Sequence, residues 1–397
     1  MIQDFEHCVE TYYVFGRNAE KKLGEKLKER NAARVMIVHD SGTFLYESGL
    51  LDNVIKNLKD FNIKSFEFGG VRPNPTIEYA RKGIEIAKEN DIDYLLAIGG
   101  GSSIDTAKAI AVGVFYEGDV WDLYDKGGKA SKALPISVIL TYPATGSESG
   151  ITSAMFSDEL VAKRGYTDLV MRPKIVFMNP ELSFSLPPKL TACGITDMYV
   201  HAMERYFSPV KGYGIMDRFN EAIFKTLIEY GPRVMKNPKD YEARAEIMWI
   251  GAAAHGSNTT GLGRPIDWGT HMLGDQISTF YNTPHGITLS VMISGWMRYV
   301  YKTDIDRFVR YAVEVFGIEY DPNDMEGIAM KGIECTKNFF KSLGMPTSLK
   351  EANIPTDKFR VMAESLMDRT HGPAGEFFKM TVDDMINIYN DSIEEVE

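Results

Sequence analysis

The sequence predicts two domains: an α/β domain over residues 1–185 and an all-helical domain over residues 186–397. In the first part, short apolar runs alternate with longer amphipathic ones, with roughly thirty residues in each strand–helix unit. This rhythm is typical of a parallel, doubly wound sheet. After Pro187-Pro188 the strand signals almost vanish and helix-like stretches continue along the chain. A chain of 397 residues is long enough for two such domains.

Compact apolar runs predict four strands of one parallel sheet, at 35–38, 63–68, 94–98 and 136–140. Amphipathic periodicity predicts helices between them, at about 50–58 and 77–88. The second domain is predicted to contain long helices at 189–208, 214–236, 240–260, 266–280, 287–301 and 304–316.

Composition excludes several classes of protein. The net charge is −11 and no Lys/Arg-rich run occurs, which argues against a nucleic-acid binder. No apolar run approaches the roughly 18 residues of a membrane span. The acidic start MIQDFEHCVE does not read as a signal peptide. Cys8, Cys193 and Cys335 lie far apart without a CxxC motif, so we expect a reduced, cytoplasmic protein without disulfides or thiolate metal sites.

A glycine-rich turn follows the third predicted strand and opens a predicted helix. It consists of Gly99, Gly100, Gly101 and Ser102. Glycines let backbone N–H groups approach a ligand closely, and a helix N-terminus offers unpaired donors to a pyrophosphate. A ligand-free alternative is that Ser102 and Asp105 form a capping box, and both interpretations can hold together.

A second cluster of small and hydroxyl residues, TYPATGSES at 141–149, follows the fourth predicted strand. Open α/β sheets bind ligands beyond the carboxyl ends of their strands. Taken alone this cluster could be a plain loop, but two such clusters at two strand ends favour a binding site.

Histidine and aspartate recur at helical spacing in the second domain. Asp197 and His201 are four residues apart, as are His271 and Asp275, and His285 follows in a predicted TPHG turn. One aspartate with three histidines is a donor set suited to Zn²⁺ or Fe²⁺. Each of these residues alone would more often be an ordinary core or surface group. Spacing does not show which of them meet in space.

The chain resembles the iron-containing (group III) alcohol dehydrogenase family, and within it the butanol dehydrogenase-like branch. The resemblance spans nearly the whole chain and rests on motifs in the family's order. These are FGRNA at 15–19, RPNPT at 72–76, LLAIGGGSSIDTAKAI at 95–110, GDVWDLY at 118–124, PATGSE at 143–148, DMYVHAMERY at 197–206, DWGTHMLGDQIS at 267–278 and NTPHG at 282–286.

The resemblance implies a dehydroquinate synthase-like fold, with a Rossmann-like dinucleotide-binding domain followed by a metal-binding domain. It implies iron or zinc on four ligands: Asp197, His201, His271 and His285. It implies that the pyrophosphate binds to Gly100, Gly101 and Ser102, with Gly99 also a cofactor-binding residue. It implies a nicotinamide end near Asp105, Thr141, Thr145, Ser147 and Lys163, and it makes Asn74 a further cofactor-lining residue. A homodimer is also expected by resemblance.

Asp275 departs from the family pattern. Relatives commonly hold histidine at this place, where it lies near the nicotinamide and substrate and assists proton transfer. Asp275 is therefore the candidate catalytic residue, as a proton relay; orienting a neighbour and altered activity are the alternatives.

A second departure bears on the cofactor. NADP-using relatives read roughly YGGGS after the first strand, where this chain has HDSGT at 39–43. A carboxylate at Asp40 would bond a ribose 2′-hydroxyl and repel a 2′-phosphate, which favours NAD(H) over NADP(H). The alternative is that Asp40 merely caps a turn.

These features predict hydride transfer between a nicotinamide cofactor and a short-chain primary alcohol or aldehyde, butanol and butanal being the type. A polyol dehydrogenase, such as one acting on glycerol or 1,3-propanediol, or a dehydroquinate synthase-like lyase would use the same fold. A metal-dependent hydrolase would leave the glycine turn, PATGSE and Lys163 without a role. A non-catalytic nucleotide-binding protein would leave the four ligands without one.

Overall fold

The structure, a computed structural model, describes residues 3–212, 214–256 and 259–394. The chain divides into two units, Cys8–Ser185 and Leu186–Glu397, and the described residues of the first seven group with the second unit. The backbone N–H of Gln3 donates to the carbonyl of Gly263 at 2.8 Å. The structure therefore groups residues 3–7 with the second unit, whereas the sequence analysis assigned them to the first domain.

Among the described residues of the first unit, six strands form one sheet in the order β1-β8-β5-β4-β2-β3. Every neighbouring pair runs parallel. The strands of this sheet are β1 (Tyr12–Phe15), β2 (Arg34–Asp40), β3 (Lys64–Val71), β4 (Tyr94–Gly99), β5 (Ile136–Leu140) and β8 (Ile175–Met178). The four strands predicted from apolar runs, now β2 to β5, are confirmed.

Periodicity did not reveal the two strands at one edge of the sheet. β1 lies at the edge, so Tyr12 and Phe15 stay exposed and no continuous apolar run results. β8 is buried but has four residues, too few for a reliable pattern. Two further strands, β6 (Thr152–Ser157) and β7 (Ala162–Thr167), pair with each other as an antiparallel hairpin.

Helices connect the strands of the first unit: α1 (Leu23–Lys28), α2 (Phe44–Glu47), α3 (Leu50–Asp60), α4 (Ile77–Glu89), α5 (Gly101–Gly113) and α6 (Trp121–Asp125). α3 and α4, near the positions predicted, bury one face each. α5 is buried from Ile104 to Gly113 apart from Asp105, which suits its Ala-rich sequence.

The second unit is helical. Its helices are α7 (Pro188–Tyr206), α8 (Ile215–Lys236), α9 (Tyr241–Gly251), α10 (Gly269–Tyr281), α11 (His285–Val300), α12 (Ile305–Phe316), α13 (Met325–Ser342), α14 (Phe359–Thr370) and α15 (Val382–Asp391). α7 and α11 are buried over most of their length and form the centre of its core. Among the described residues, no helix is both long enough and apolar enough to cross a membrane.

Two helix boundaries differ from the sequence prediction. The stretch at 240–260 is not one helix, because α9 ends at Gly251 and a π-helical turn follows at Ala252–Gly256. His285 does not lie in a turn; it is the first residue of α11, after Pro284 in an extended conformation. Pro284 is the N-cap residue of α11, and because it has no N–H it leaves no unpaired backbone donor at the start of the helix.

The contact between α7 and α11 depends on Gly286. A Cβ added there would lie 2.6 Å from the Cβ of Cys193 and 2.8 Å from its carbonyl oxygen. Because backbone atoms cannot move aside cheaply, we expect Gly286→Ala to lower the free energy of unfolding by about 1–3 kcal/mol, measured by urea denaturation. Gly214→Ala, where a Cβ meets nothing within 4 Å, is the matched control. Equal stability of both variants would contradict this reading of the contact.

Candidate functional site

One face of the buried helix α7 carries three ionisable residues. Asp197, His201 and Glu204 are spaced four and three residues apart, so they lie on the same side of the helix. All three are at most 5% exposed. Buried polar groups are costly unless they have partners, so this face must meet other polar groups.

Asp197 meets the imidazoles of three helices. Its Oδ1 lies 3.7 Å from Nδ1 of His201 on α7, 3.4 Å from Nε2 of His271 on α10 and 3.6 Å from Nε2 of His285 on α11. Asp197, His201 and His271 also offer ligand atoms that all lie within 4.8 Å of one another. The four residues that the sequence analysis selected as metal ligands are thus adjacent in the structure.

These separations fit ligands around an ion. Metal–nitrogen bonds of about 2.0–2.1 Å in a tetrahedral site put neighbouring ligand atoms about 3.4 Å apart. The three distances from Asp197 Oδ1, 3.4–3.7 Å, are close to that value and longer than hydrogen bonds. Within the described part of the chain, Asp197 Oδ1 and His201 Nδ1 are buried without a hydrogen-bond partner. A cation among them would satisfy both.

The protonation of the cluster is also suited to a cation. Burial raises the pKa of Asp197, but the imidazoles of His271 and His285 outweigh it and hold this pKa below its ordinary value. Burial, together with the charges of His255 and His271, holds the pKa of His201 well below its ordinary value. An ionised carboxylate and a neutral imidazole are the forms that bind metals.

His271 has a different electrostatic environment. Burial lowers its pKa, but Glu204 and Asp197 raise it to about 10. Nδ1 of His271 lies 2.6 Å from Oε2 of Glu204. Glu204 was not singled out from the sequence, although its place three residues after His201 on one helical face was the available signal.

His255 is a second residue that the sequence analysis did not find. Its ring stacks on His201, with centroids 4.4 Å apart and planes 8° from parallel. It lies on the π-helical turn after α9. Local spacing gave no signal, because neither the turn nor its approach to His201 could be read from the sequence.

Asp275 lies next to a candidate ligand. It follows His271 by one helical turn on α10, and its Oδ1 is 3.6 Å from Nδ1 of His285. Asp275 is partly exposed, whereas Asp197 is buried. Asp275 therefore lies beside the cluster, close to Nδ1 of His285, whereas Asp197 lies close to Nε2 of the same ring.

Trp268 borders the same cluster edge-on. Its ring lies 5.3 Å from the ring of His271 and 6.0 Å from that of His201, and the guanidinium of Arg205 lies 5.4 Å from its centroid. The residue has φ 57°, a left-handed conformation unusual for an aromatic residue. Such strain clusters at functional sites.

In the first unit, the glycine turn lies against the 141–145 segment. Gly99 has φ 146°, a conformation that favours glycine. A Cβ on Gly100 would lie 3.0 Å from Tyr142, and one on Gly101 would lie 2.9 Å from Thr145. Thr141 follows β5, and its N–H donates to the carbonyl of Gly99 at 3.0 Å. The two sequence clusters are therefore brought together at neighbouring strand ends.

The capping box of Ser102 and Asp105, the ligand-free alternative for this turn, does not form. α5 begins at Gly101, its N-cap is Gly100, and no side chain caps it. Ser102 lies inside the first turn, and Asp105 instead accepts hydrogen bonds from the hydroxyl of Ser147 at 2.6 Å and the N–H of Ala154 at 3.0 Å. Asp105 therefore braces the PATGSE loop through Ser147 and not the start of α5.

A buried lysine holds the PATGSE loop on α5. Lys108 donates to the hydroxyl and carbonyl of Ser147 and to the carbonyl of Thr152, each at 2.8 Å. Burial lowers the pKa of Lys108 to about 8, although Asp105 and Glu148 oppose this shift. Burial raises the pKa of Asp105. Asp105 and Ser147 therefore have a structural role: they hold the PATGSE loop against α5.

Asp40 lies at the end of β2 beside the glycine turn. Its Oδ1 accepts from the N–H of Gly42 at 2.6 Å, as the turn-capping alternative proposed. Its Oδ2 would lie 3.4 Å from a Cβ on Gly99. The carboxylate therefore caps the turn with one oxygen and faces the candidate phosphate loop with the other.

Asn74 and Lys163 are brought into one region by the β6–β7 hairpin. Phe156 on β6 pairs with Lys163 on β7 and bridges to Thr76, two residues after Asn74. Asn74 has φ 54°, which suits its place in the turn before α4.

Comparisons with known proteins agree with this arrangement. The family model for iron-containing alcohol dehydrogenase matches residues 10–180, and the C-terminal model of the Fe-containing alcohol dehydrogenase family matches residues 191–393.

Relatives match over almost the whole chain. NADH-dependent butanol dehydrogenase A of Clostridium acetobutylicum is 37% identical, over 98% of this chain and 99% of that protein. NADPH-dependent aldehyde reductase YqhD of Escherichia coli is 32% identical, over 98% and 99%. The crystal structure of NADH-dependent butanol dehydrogenase A from Thermotoga maritima superposes with a TM-score of 0.94 at 31% identity, covering 99% of both chains. The resemblance predicted from the motifs is confirmed, and the chain belongs to the iron-containing alcohol dehydrogenase family.

Proposed function

We propose that this protein is a metal- and nicotinamide-dependent alcohol dehydrogenase that interconverts short-chain primary alcohols and aldehydes, with butanol and butanal as the type. The observation that carries the proposal is the buried cluster of Asp197, His201, His271 and His285, in a chain whose relatives include butanol dehydrogenases. The relative YqhD, an aldehyde reductase, supports the reducing direction.

The donor set fits a divalent ion. One carboxylate and three neutral imidazoles leave a net positive centre with Zn²⁺ or Fe²⁺, and both ions tolerate nitrogen and oxygen ligands. A bound ion supplies Lewis-acid polarisation of the substrate oxygen. The chain's contribution is to hold four ligands on three packed helices and to exclude water around Asp197, which is 3% exposed.

The first unit is proposed to bind the dinucleotide. The backbone N–H groups at the start of α5 suit a pyrophosphate, and the turn that presents them consists of Gly99, Gly100, Gly101 and Ser102. Glycine is needed at Gly100 and Gly101 because a side chain there would collide with Tyr142 or Thr145. Asn74 is proposed to line the cofactor, and the remaining candidates to lie near its nicotinamide end: Asp105, Thr141, Thr145, Ser147 and Lys163. A bound nicotinamide supplies the hydride carrier.

Asp275 is proposed to handle the proton. Its carboxylate is partly exposed and lies beside His285, so it can exchange a proton with water while the buried Asp197 cannot. This would replace the role that relatives give to histidine.

Two further properties are proposed. We expect a homodimer by family resemblance. We infer a cytoplasmic location from Cys8, Cys193 and Cys335, which are all free thiols in the structure.

The proposed reaction predicts that the metal-loaded protein oxidises NADH in the presence of butanal, followed by absorbance at 340 nm. Chelation should abolish turnover and added Fe²⁺ or Zn²⁺ should restore it, because the buried donor set needs a cation. Asp197→Asn is the matched control and should gain little from added metal. The proposal would be wrong if neither NADH nor NADPH were oxidised with any metal or aldehyde tested.

Asp40 predicts the choice of dinucleotide. Its carboxylate beside Gly99 should repel a 2′-phosphate, so NADH should be preferred. Asp40→Gly should raise kcat/KM for NADPH at least tenfold, about 1.4 kcal/mol. Ser41→Gly, an exposed and uncharged neighbour, should leave the preference unchanged. A wild-type preference for NADPH would contradict this assignment.

The relay role predicts that Asp275→Asn lowers kcat roughly 100-fold, because general acid–base groups contribute on this order. Asp275→His should restore or raise activity, since the family resemblance implies an imidazole at this place. Asp357→Asn removes a carboxylate elsewhere in the unit and should have little effect. Unchanged turnover of Asp275→His across the pH range would make Asp275 a bystander.

A further inference from the structure

We propose that Glu204 is a positioning residue for the metal ligand His271, acting through the imidazole rather than on the substrate. The inference rests on the metal site of the proposed function. It assigns a role to a residue that lies outside the ligand set.

Glu204 contacts His271 at two points. Its Oε2 lies 2.6 Å from Nδ1 of the ring, and its Oε1 accepts the backbone N–H of His271 at 2.9 Å. One carboxylate therefore fixes both the ring and the main chain of the same residue. Glu204 is 1% exposed, so water does not compete for these contacts.

These contacts select one tautomer of His271. An ionised carboxylate only accepts hydrogen bonds, so this contact favours the neutral ring form that keeps its proton on Nδ1. The lone pair is then on Nε2, the atom that lies 3.4 Å from Oδ1 of Asp197. The contact thus orients the ring so that Nε2, and not Nδ1, faces Asp197 and the candidate metal position. Carboxylate partners of this kind also raise the basicity of a ligand histidine.

The position of Glu204 on α7 makes the arrangement rigid. The same helix carries the ligand His201 one turn earlier and the ligand Asp197 two turns earlier. The carbonyl of Glu204 also accepts the N–H of Asp267 at 3.0 Å, just before α10 begins. α7 therefore supplies two ligands and sets the orientation of a third that belongs to another helix.

A purely structural role would predict something different. If Glu204 only anchored the start of α10, its loss would lower stability without a specific effect on the ion. A substitution that removes the charge of Glu204 but keeps its shape distinguishes the positioning role from the anchoring role. Glu204→Gln retains an acceptor for the backbone N–H of His271 but removes the negative charge from Nδ1.

The test measures binding of Co²⁺ to the metal-free full chain by competition with a chromophoric chelator, together with the visible spectrum of the bound Co²⁺. Co²⁺ alone is the probe, so no turnover is needed. We expect Glu204→Gln to weaken Co²⁺ binding by about 10- to 100-fold and to change the spectrum. Glu204→Asp, which keeps the charge on a shorter side chain, should recover part of the affinity and serves as the test variant if Glu204→Gln does not fold.

Asp217→Asn is the matched control. Asp217 is a fully buried carboxylate of the same unit, bound by Arg264 at 2.6 Å and Arg307 at 2.8 Å. Its loss should lower the melting temperature but leave the Co²⁺ affinity unchanged.

Wild-type affinity in both Glu204 variants, or an equal loss in Asp217→Asn, would overturn the inference. A wild-type chain that does not bind Co²⁺ would overturn the metal site as well. Tight Co²⁺ binding by the wild type without any dehydrogenase activity would overturn the proposed function alone.

Discussion

The helical unit depends on one constraint, the burial of an ionised carboxylate among imidazoles. Asp197 is 3% exposed and is surrounded by His201, His271 and His285 from three helices. A buried charge without partners costs several kcal/mol. The packing of α7, α10 and α11 is therefore tied to the chemistry of the site, because these helices must bring their nitrogen atoms to one oxygen.

Both candidate sites are built by backbone segments that approach unusually closely, and glycine permits each approach. Gly286 lets the start of α11 lie on Cys193, which brings His285 toward Asp197. Gly100 and Gly101 do the same between α5 and the segment with Tyr142 and Thr145. The residues with side-chain chemistry are thus positioned by neighbours that have no side chain.

The sequence was sufficient for the features that repeat and for the motifs with long spacing. Buried strands such as 94–99 and long helices such as α7 can be predicted because their apolar residues are continuous or periodic. The ligand set was available from the family resemblance, and the structure places those four residues together. Their roles in binding and the roles of the cofactor-lining residues stay predictions.

Other features could not be predicted because they depend on tertiary contacts. The exposed edge strand β1 has no buried pattern, and Asp105 was interpreted as a cap because its partners Ser147 and Ala154 lie more than forty residues away. The same holds for His255, which stacks on His201 from a π-helical turn. Glu204 could have been predicted as part of the site, because its helical spacing from Asp197 and His201 is visible in the local sequence.

The joining of three helices at Asp197 has a consequence for the lifetime of the protein. An ion bound only by the folded unit stabilises it by RT ln(1 + [L]/Kd), about 4.1 kcal/mol at a free concentration 1,000 times Kd. The ion would then act as a cross-link between segments distant in sequence, and its loss would release all three together. Metal supply would thereby set how long the chain survives proteolysis as well as how fast it works.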